Sequence, residues 1–321
     1  GRVCRKGAND VWLGILGCGN IAEQVANELV NEAGQRIVSC WNRSPERAEK
    51  FAVKYGSRAY RTAEEALKAE GVNAAYIAVT ADKHLDYIRL CLNAGVPVLC
   101  EKPFTVNAGE AEQAFALAKE KGLYLCEAMW TWFNAPALTV RAWLPKLGAV
   151  KKVTAKYCVP ISGNPRLVDP VRLGGALVDI GVYPIRYAYE LFGMPKKIVC
   201  EGKVEGGVDH KEKVTLLYDG FEAVLEIDMD EFKGEEFVIE GEKGCIRVPW
   251  FHAAQEVLLT GEEEARFEDG SPKYGTEMAR AAEEIANGCK ESAFCPPSHT
   301  VDVMRILDEC RRQMGLVYPC E

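Results

Sequence analysis

The stretch Trp12-Leu13-Gly14-Ile15-Leu16-Gly17-Cys18-Gly19-Asn20-Ile21-Ala22 decides the fold. An apolar run meets two glycines, and a helical pattern follows, so the order is strand, tight turn, helix. Gly17 permits the turn. Gly19 has no Cβ, so a pyrophosphate can approach the backbone there. Ala22 takes the third small position, where helix and strand pack closely. The phosphates of a dinucleotide would rest on the unpaired N–H groups at Asn20 and Ile21, at the positive end of the helix. The bland alternative is a strand–helix turn with nothing bound.

Outward from this turn, residues 11–126 alternate short apolar runs with amphipathic ones. Strands are expected at 11–16, 36–41, 74–79, 97–100 and 123–126. Helices are expected at 20–33, 45–55, 62–70, 82–94 and 107–121. That rhythm predicts a doubly wound parallel sheet covered on both faces, an α/β domain of the Rossmann type. Ser44-Pro45 caps the second helix and puts proline in its first turn. Asn107 with Glu110 suggests a capping box at the fifth.

After residue 126 the rhythm changes. A helix at 136–147, a strand at 150–159 and a helix at 175–193 lead into consecutive strand-like runs at 196–206, 211–219, 221–229, 235–240 and 244–248. Short glycine turns between them predict an open antiparallel sheet. Helices near 275–289 and 298–314 close the chain. The expected division is therefore a dinucleotide-binding domain over 1–126 and an α+β substrate-binding domain over 127–321.

Three sites carry chemistry. At the end of the second strand stand Asn42, Arg43 and Ser44, where an NAD-specific site places a carboxylate on the ribose 2′-hydroxyl. A carboxylate would repel a 2′-phosphate, whereas Arg43 can pair with it and Ser44 can donate to it. The charge pattern favours NADP over NAD, although Arg43 could equally be a solvated loop charge or stack on adenine.

At the end of the fifth strand, Glu101-Lys102-Pro103 falls on the edge of the sheet that faces a ligand. Lys102 can exchange a proton with a substrate oxygen, and Pro103 fixes the turn and admits a cis bond before it. The plainer reading of Glu101 and Lys102 is a strand-end salt bridge. Further on, Gly174-Gly175 precedes Asp179 and Tyr183. Four residues apart on a helix, these two share a face and could hold a polyol and shuttle its proton; a dipole-favoured carboxylate beside a packing tyrosine is the alternative. Trp130 and Phe133 lie at the expected domain junction, as walls of a substrate pocket or as core.

Composition narrows the partners. With 39 Lys and Arg against 47 Asp and Glu, the net charge is −8, which argues against nucleic acid. No apolar stretch is long and uncharged enough to span a bilayer. Residues 1–11 carry basic groups without the apolar core of a secretion signal. The 13 cysteines are scattered and form no Cys-x-x-Cys pair, which reads as reduced thiols of a cytoplasmic protein. The four histidines are dispersed, so no metal site is expected.

Taken in order, the glycine turn 17–22, Glu101-Lys102-Pro103 and the glycine-rich helix with Asp179 and Tyr183 resemble the glucose-fructose oxidoreductase/inositol dehydrogenase (Gfo/Idh/MocA) family along nearly the whole chain. Glu127-Ala128-Met129-Trp130 and 179–183 point to its branch of dihydrodiol and NADP-dependent xylose dehydrogenases. Trp132 departs from that branch, which often has arginine there. The resemblance implies that Lys102 polarises or deprotonates the reacting hydroxyl, that Tyr183 is the acid/base and that Asp179 orients the substrate. It also implies that Thr80 and His84 belong to a loop along the cofactor and that the second sheet packs face to face in a homodimer or larger oligomer. The expected activity is hydride transfer between NADP and a secondary alcohol or hemiacetal carbon of a sugar, cyclic polyol or trans-dihydrodiol. The alternatives are a dinucleotide-binding regulator without turnover and an NAD-dependent inositol-type dehydrogenase.

Overall fold

The computed structural model describes residues 10–29 and 35–321. The basic N-terminal residues before Asp10 and the expected end of the first helix at 33 lie outside the described residues. The chain divides into two compact units. One holds the described residues up to Thr105, Gly109–Phe133 and Pro272–Pro297; the other holds Val106–Ala108, Asn134–Ser271 and Ser298–Glu321. This corrects the division expected at 126/127. The boundary falls after Phe133, and a late segment returns to the first unit because its contacts lie there. The helix Lys273–Ala286 packs on the helix Asn20–Leu29, with the Gly275 N–H donating to Glu28 at 2.6 Å.

The first unit is built on strands β1 (Val11–Leu16), β2 (Gln35–Trp41), β3 (Arg58–Ala59), β4 (Ala74–Ile77), β5 (Val98–Glu101) and β6 (Leu125–Ala128), in the order β3-β2-β1-β4-β5-β6. Every neighbouring pair is parallel. Strands β4, β5 and β6 are buried at every residue, as a sheet covered on both faces requires. The strand order reverses direction between β1 and β4, and at such a switch point the loops after the two strands diverge and leave a crevice at their carboxyl ends. The helix Pro45–Tyr55 starts on Ser44 with proline in its first turn, but the serine hydroxyl makes no capping bond.

The second unit contains β7 (Val150–Cys158), β8 (Lys197–Glu205), β9 (Val208–Tyr218), β10 (Phe221–Asp228), β11 (Gly234–Gly241), β12 (Gly244–Pro249), β13 (Glu256–Gly261) and β14 (Ala265–Glu268). Their order is β14-β13-β12-β11-β7-β10-β9-β8. The sheet is mixed, since β7 and β10 run parallel while the other neighbours are antiparallel. Turn spacing links only consecutive strands. β7 precedes them across a helical segment and inserts between β10 and β11, which no local pattern signals. Strands β13 and β14 were not anticipated. The helix Val182–Phe192 lies against this sheet, with the Tyr187 ring 4.8 Å from Phe237 and 5.3 Å from Phe251. Among the described residues no helix is long and apolar enough to cross a membrane, and the twelve described cysteines are all free thiols.

Candidate active site

The first unit gathers the residues expected at the cofactor. Gly17 has φ +97°, and a Cβ there would meet the Ala78 and Val79 backbone at 2.5–2.6 Å. The turn after β1 is thus locked to the end of β4, and the Gly17 N–H donates to Trp41 O at 2.8 Å. At Gly19 the opposite holds: a Cβ would meet nothing within 4 Å. The open side of Gly19 and the first N–H groups of the helix Asn20–Leu29, which lack i−4 partners, suit an approaching pyrophosphate. Glu23 is the first residue whose N–H bonds back, to Gly19 O at 3.1 Å.

Asn42 fixes the neighbouring loop. Its Oδ1 accepts the Cys18 N–H at 3.1 Å, and its Nδ2 donates to Ser44 O at 3.3 Å. Arg43 and Ser44 are exposed beyond it, with no carboxylate among the three residues. A 2′-phosphate fits this donor set better than a bare 2′-hydroxyl does. Thr80 heads the loop after β4 and is exposed.

Two residues expected at the cofactor, His84 and Glu101, are buried in contacts within the unit. His84 is buried; its Nδ1 lies 2.8 Å from Pro103 O and 3.1 Å from Phe104 O, and its Nε2 lies 3.0 Å from Val79 O. Burial pushes the imidazole pKa down, against the opposing pull of the Val79, Phe104 and Pro103 carbonyls. The ring ties the loop after β4 to the turn after β5 and offers no edge to a ligand. Glu101 is buried and accepts the Tyr76 hydroxyl at 2.5 Å and the Lys102 N–H at 3.2 Å. Burial pushes its carboxyl up to about 7, against the opposing pull of the Tyr76 hydrogen bond and the Lys102 charge. Glu101 thereby holds the segment that presents Lys102, which is half-buried at the end of β5. The Lys102–Pro103 bond is cis.

Trp130 and Phe133 belong to the packing of the returning segment. The Trp130 ring lies 4.8 Å from Tyr274, and fully buried Phe133 lies 5.3 Å from Phe294. Trp132 is fully buried too.

In the second unit, Gly174-Gly175 serves an internal contact. A Cβ on Gly174 would meet Leu167 O at 2.5 Å, and one on Gly175, at φ +114°, would meet Asp209 Oδ1 at 2.2 Å. Asp209 Oδ2 accepts the Leu177 N–H at 2.6 Å. The glycines let a buried carboxyl seat the start of the helical segment. The helix expected over 175–193 is split accordingly into a π-helical turn, Leu177–Gly181, and the α-helix Val182–Phe192. Asp209 and its neighbour Glu212 are both pushed upward, chiefly by burial. Sequence reasoning missed them, yet Glu212 stands on the inward alternation of β9 with Val214 and Leu216, and a charge in that phase is a signal.

Asp179 and Tyr183 have different immediate neighbours. Arg166 Nη2 lies 3.0 Å from Asp179 Oδ1. The buried Tyr183 ring lies 5.2 Å from the His252 ring and 6.0 Å from Tyr157. Among the described residues no group of three or more His, Cys, Asp or Glu side chains is placed to hold a metal.

A Rossmann unit with a phosphate-ready glycine turn, joined in one chain to a mixed-sheet unit, defines a class of dinucleotide-dependent enzymes. Residues 11–128 match the GFO/IDH/MocA oxidoreductase family with its NAD-binding Rossmann fold, and residues 138–247 match the GFO/IDH/MocA C-terminal domain. The chain belongs to this oxidoreductase family. It is 32% identical to the scyllo-inositol 2-dehydrogenase (NADP(+)) of Bacillus subtilis, over 96% of this chain and 98% of that one. It is 30% identical to the trans-1,2-dihydrobenzene-1,2-diol dehydrogenase of Mus musculus, over 95% and 97%. In fold it matches a 3-ketoreductase from Actinomadura kijaniata in complex with NADP and TDP-benzene, with a TM-score of 0.87 and 23% identity over 95% and 98% of the two chains.

Proposed function

We propose that this chain is an NADP-dependent dehydrogenase acting on a secondary alcohol or hemiacetal carbon of a sugar, cyclic polyol or trans-dihydrodiol. The observation that carries the cofactor choice is the end of β2. Asn42 is committed to the glycine turn, Arg43 and Ser44 are exposed beyond it, and no acidic residue stands among them to repel a 2′-phosphate. The names of the Bacillus and mouse relatives support the substrate class, since both act on ring carbons bearing hydroxyls.

When bound, NADP supplies the hydride acceptor or donor. The chain's own residues supply binding, orientation and a place for the proton. In the oxidising direction the hydroxyl proton passes to Tyr183. Lys102, presented by Glu101 and Tyr76, stabilises the developing alkoxide, and Asp179 with Arg166 orients a neighbouring hydroxyl. The self-association implied by the family resemblance through the second unit's sheet remains part of this proposal, and sedimentation of the purified protein measures it.

The decisive experiment titrates NADPH and NADH by nicotinamide fluorescence and then assays a panel of scyllo-inositol, D-xylose and trans-dihydrobenzenediol. Tight NADPH binding with turnover on any of these is expected. Lys102→Ala and Tyr183→Phe should each lower kcat by ~100-fold or more while NADPH affinity stays within about threefold. Normal turnover by Tyr183→Phe removes that residue from the chemistry, and binding of neither cofactor sinks the whole reading.

A further inference from the structure

The cross-strand register of the second unit places an unassigned set of side chains beside Tyr183. Tyr157 on β7 and Glu235 on β11 are direct antiparallel partners, so their side chains stand on one face of the sheet. His252, in the short helical turn Phe251–Ala253 after β12, lies over that pair. Its backbone N–H donates to Glu235 Oε1 at 3.0 Å, and its Nδ1 is hydrogen-bonded to the same oxygen. The Tyr157 hydroxyl lies 3.3 Å from His252 Nε2. Glu235 is buried, whereas 24% of the His252 side chain is exposed.

Resting on the reading of Tyr183 as the group that takes the substrate proton, we propose that Tyr157, His252 and Glu235 are the proton exit for Tyr183. Glu235 Oε1 already accepts the His252 backbone N–H and so stands as an acceptor toward the ring as well. The His252 proton therefore lies on Nδ1, toward Glu235, and Nε2 is left as the acceptor for the Tyr157 hydroxyl. This is the carboxylate–imidazole–hydroxyl order that prepares a hydroxyl to give up its proton. Each oxidation leaves one proton on Tyr183. The Tyr157 oxygen receives it while its own proton moves to Nε2, Glu235 faces the resulting imidazolium, and the Nε2 proton leaves to water reaching the partly exposed His252 ring. No electrons move along this line, and its end state is the starting state minus one proton.

Glu235 from β11, Tyr157 from β7 and Tyr183 from the helix Val182–Phe192 all face His252. Tyr187, on that same helix, is no competing carrier: burial, with the Glu235 charge adding to it, pushes its phenol far above the ordinary range.

Two measurements test the exit. Nitrogen NMR of histidine-labelled, cofactor-free protein should show His252 as the Nδ1–H tautomer. His252→Ala, assayed on whichever panel substrate the wild type turns over fastest, should lose ~10-fold or more in kcat with unchanged NADPH affinity, and imidazole added to the buffer should restore it. Wild type should be indifferent to imidazole, because its relay is intact. His252→Gln keeps both hydrogen bonds without a titrating ring; it should be slow too, and it serves if the alanine variant does not fold. An Nε2–H tautomer, wild-type kcat in both variants, or a loss that imidazole leaves unchanged overturns the exit while Tyr183→Phe still reports on the proposed function. Should Tyr183→Phe turn over normally, the reading beneath the exit fails first and takes the exit with it.

Discussion

In the first unit Gly17, Arg43, Thr80 and Lys102 all follow strands of one parallel sheet. In the second, Tyr157, Tyr183, Glu235 and His252 come from two strands, a helix and a short turn. A parallel sheet sends every strand-to-helix loop to its carboxyl edge, so a residue's place just after a strand already tells where it will be. A mixed sheet has no such edge. What meets on its faces is set by side-chain alternation and by which strands become neighbours, and Glu235 meets Tyr157 because β11 pairs with β7. The two units therefore tolerate change differently. Backbone shape governs the first site, and side-chain partnership governs the second.

Glycine substitutions test that contrast with the largest expected effects. Gly17→Ala puts a Cβ at positive φ against Ala78 and Val79 backbone that cannot yield. It should destabilise the first unit by about 2–4 kcal/mol and weaken NADPH binding by ~100-fold or more. Gly175→Ala meets a side-chain carboxyl instead, that of Asp209. It should cost turnover and stability while leaving NADPH affinity within about twofold, since it disturbs the seat of the Tyr183 helix rather than the dinucleotide turn. Fluorescence titration beside thermal unfolding separates the two. Wild-type NADPH affinity in Gly17→Ala would show that the turn after β1 does not hold the cofactor.

The same contrast explains what was legible in advance. Five of the six strands of the first unit, all but short β3, the glycine turn and the Glu101-Lys102-Pro103 corner could be read from local pattern because burial on both faces imposes one. The division of labour within those motifs could not. His84 and Glu101 look like ligand residues by position, and the three carbonyls around His84 and the Tyr76 hydroxyl on Glu101 are not signalled by it. In the second unit the strands from 196 to 249 were visible, but the insertion of β7 and the seat on Asp209 depend on residues far apart in sequence. The covering of the aromatic run 130–133 by a segment from beyond residue 271 could not be read locally either.

A smaller effect probes the cofactor edge at its outer rim. Arg43→Ala removes the charge that would meet a 2′-phosphate without touching the Asn42 bonds that hold the turn. NADPH binding should weaken ~10- to 100-fold, with NADH binding changed less than about threefold. Equal weakening of both cofactors would mean that Arg43 stacks on adenine, and the NADP assignment would lose its main support.

The smallest effect contrasts the buried carboxyls that brace the two sites. Glu101 titrates at about 7 in the folded chain against an ordinary 4.5. Between those values the folded state keeps a proton that the unfolded state has lost, so this group's contribution favours folding at low pH and declines as pH rises from 4.5 to about 7. Glu101→Gln retains an acceptor for Tyr76 but cannot ionise. Its melting temperature should therefore fall less steeply than that of wild type across this window and run parallel to it above. Glu212 is pushed far higher by burial and by Asp209 beside it. Glu212→Gln should thus diverge from wild type from the same starting pH and go on diverging past neutrality. Parallel profiles for wild type and Glu101→Gln throughout would show that Glu101 is ionised in the folded protein. It would then brace Lys102 as a salt-bridge partner, and the two sites would rest on carboxyls of opposite charge state.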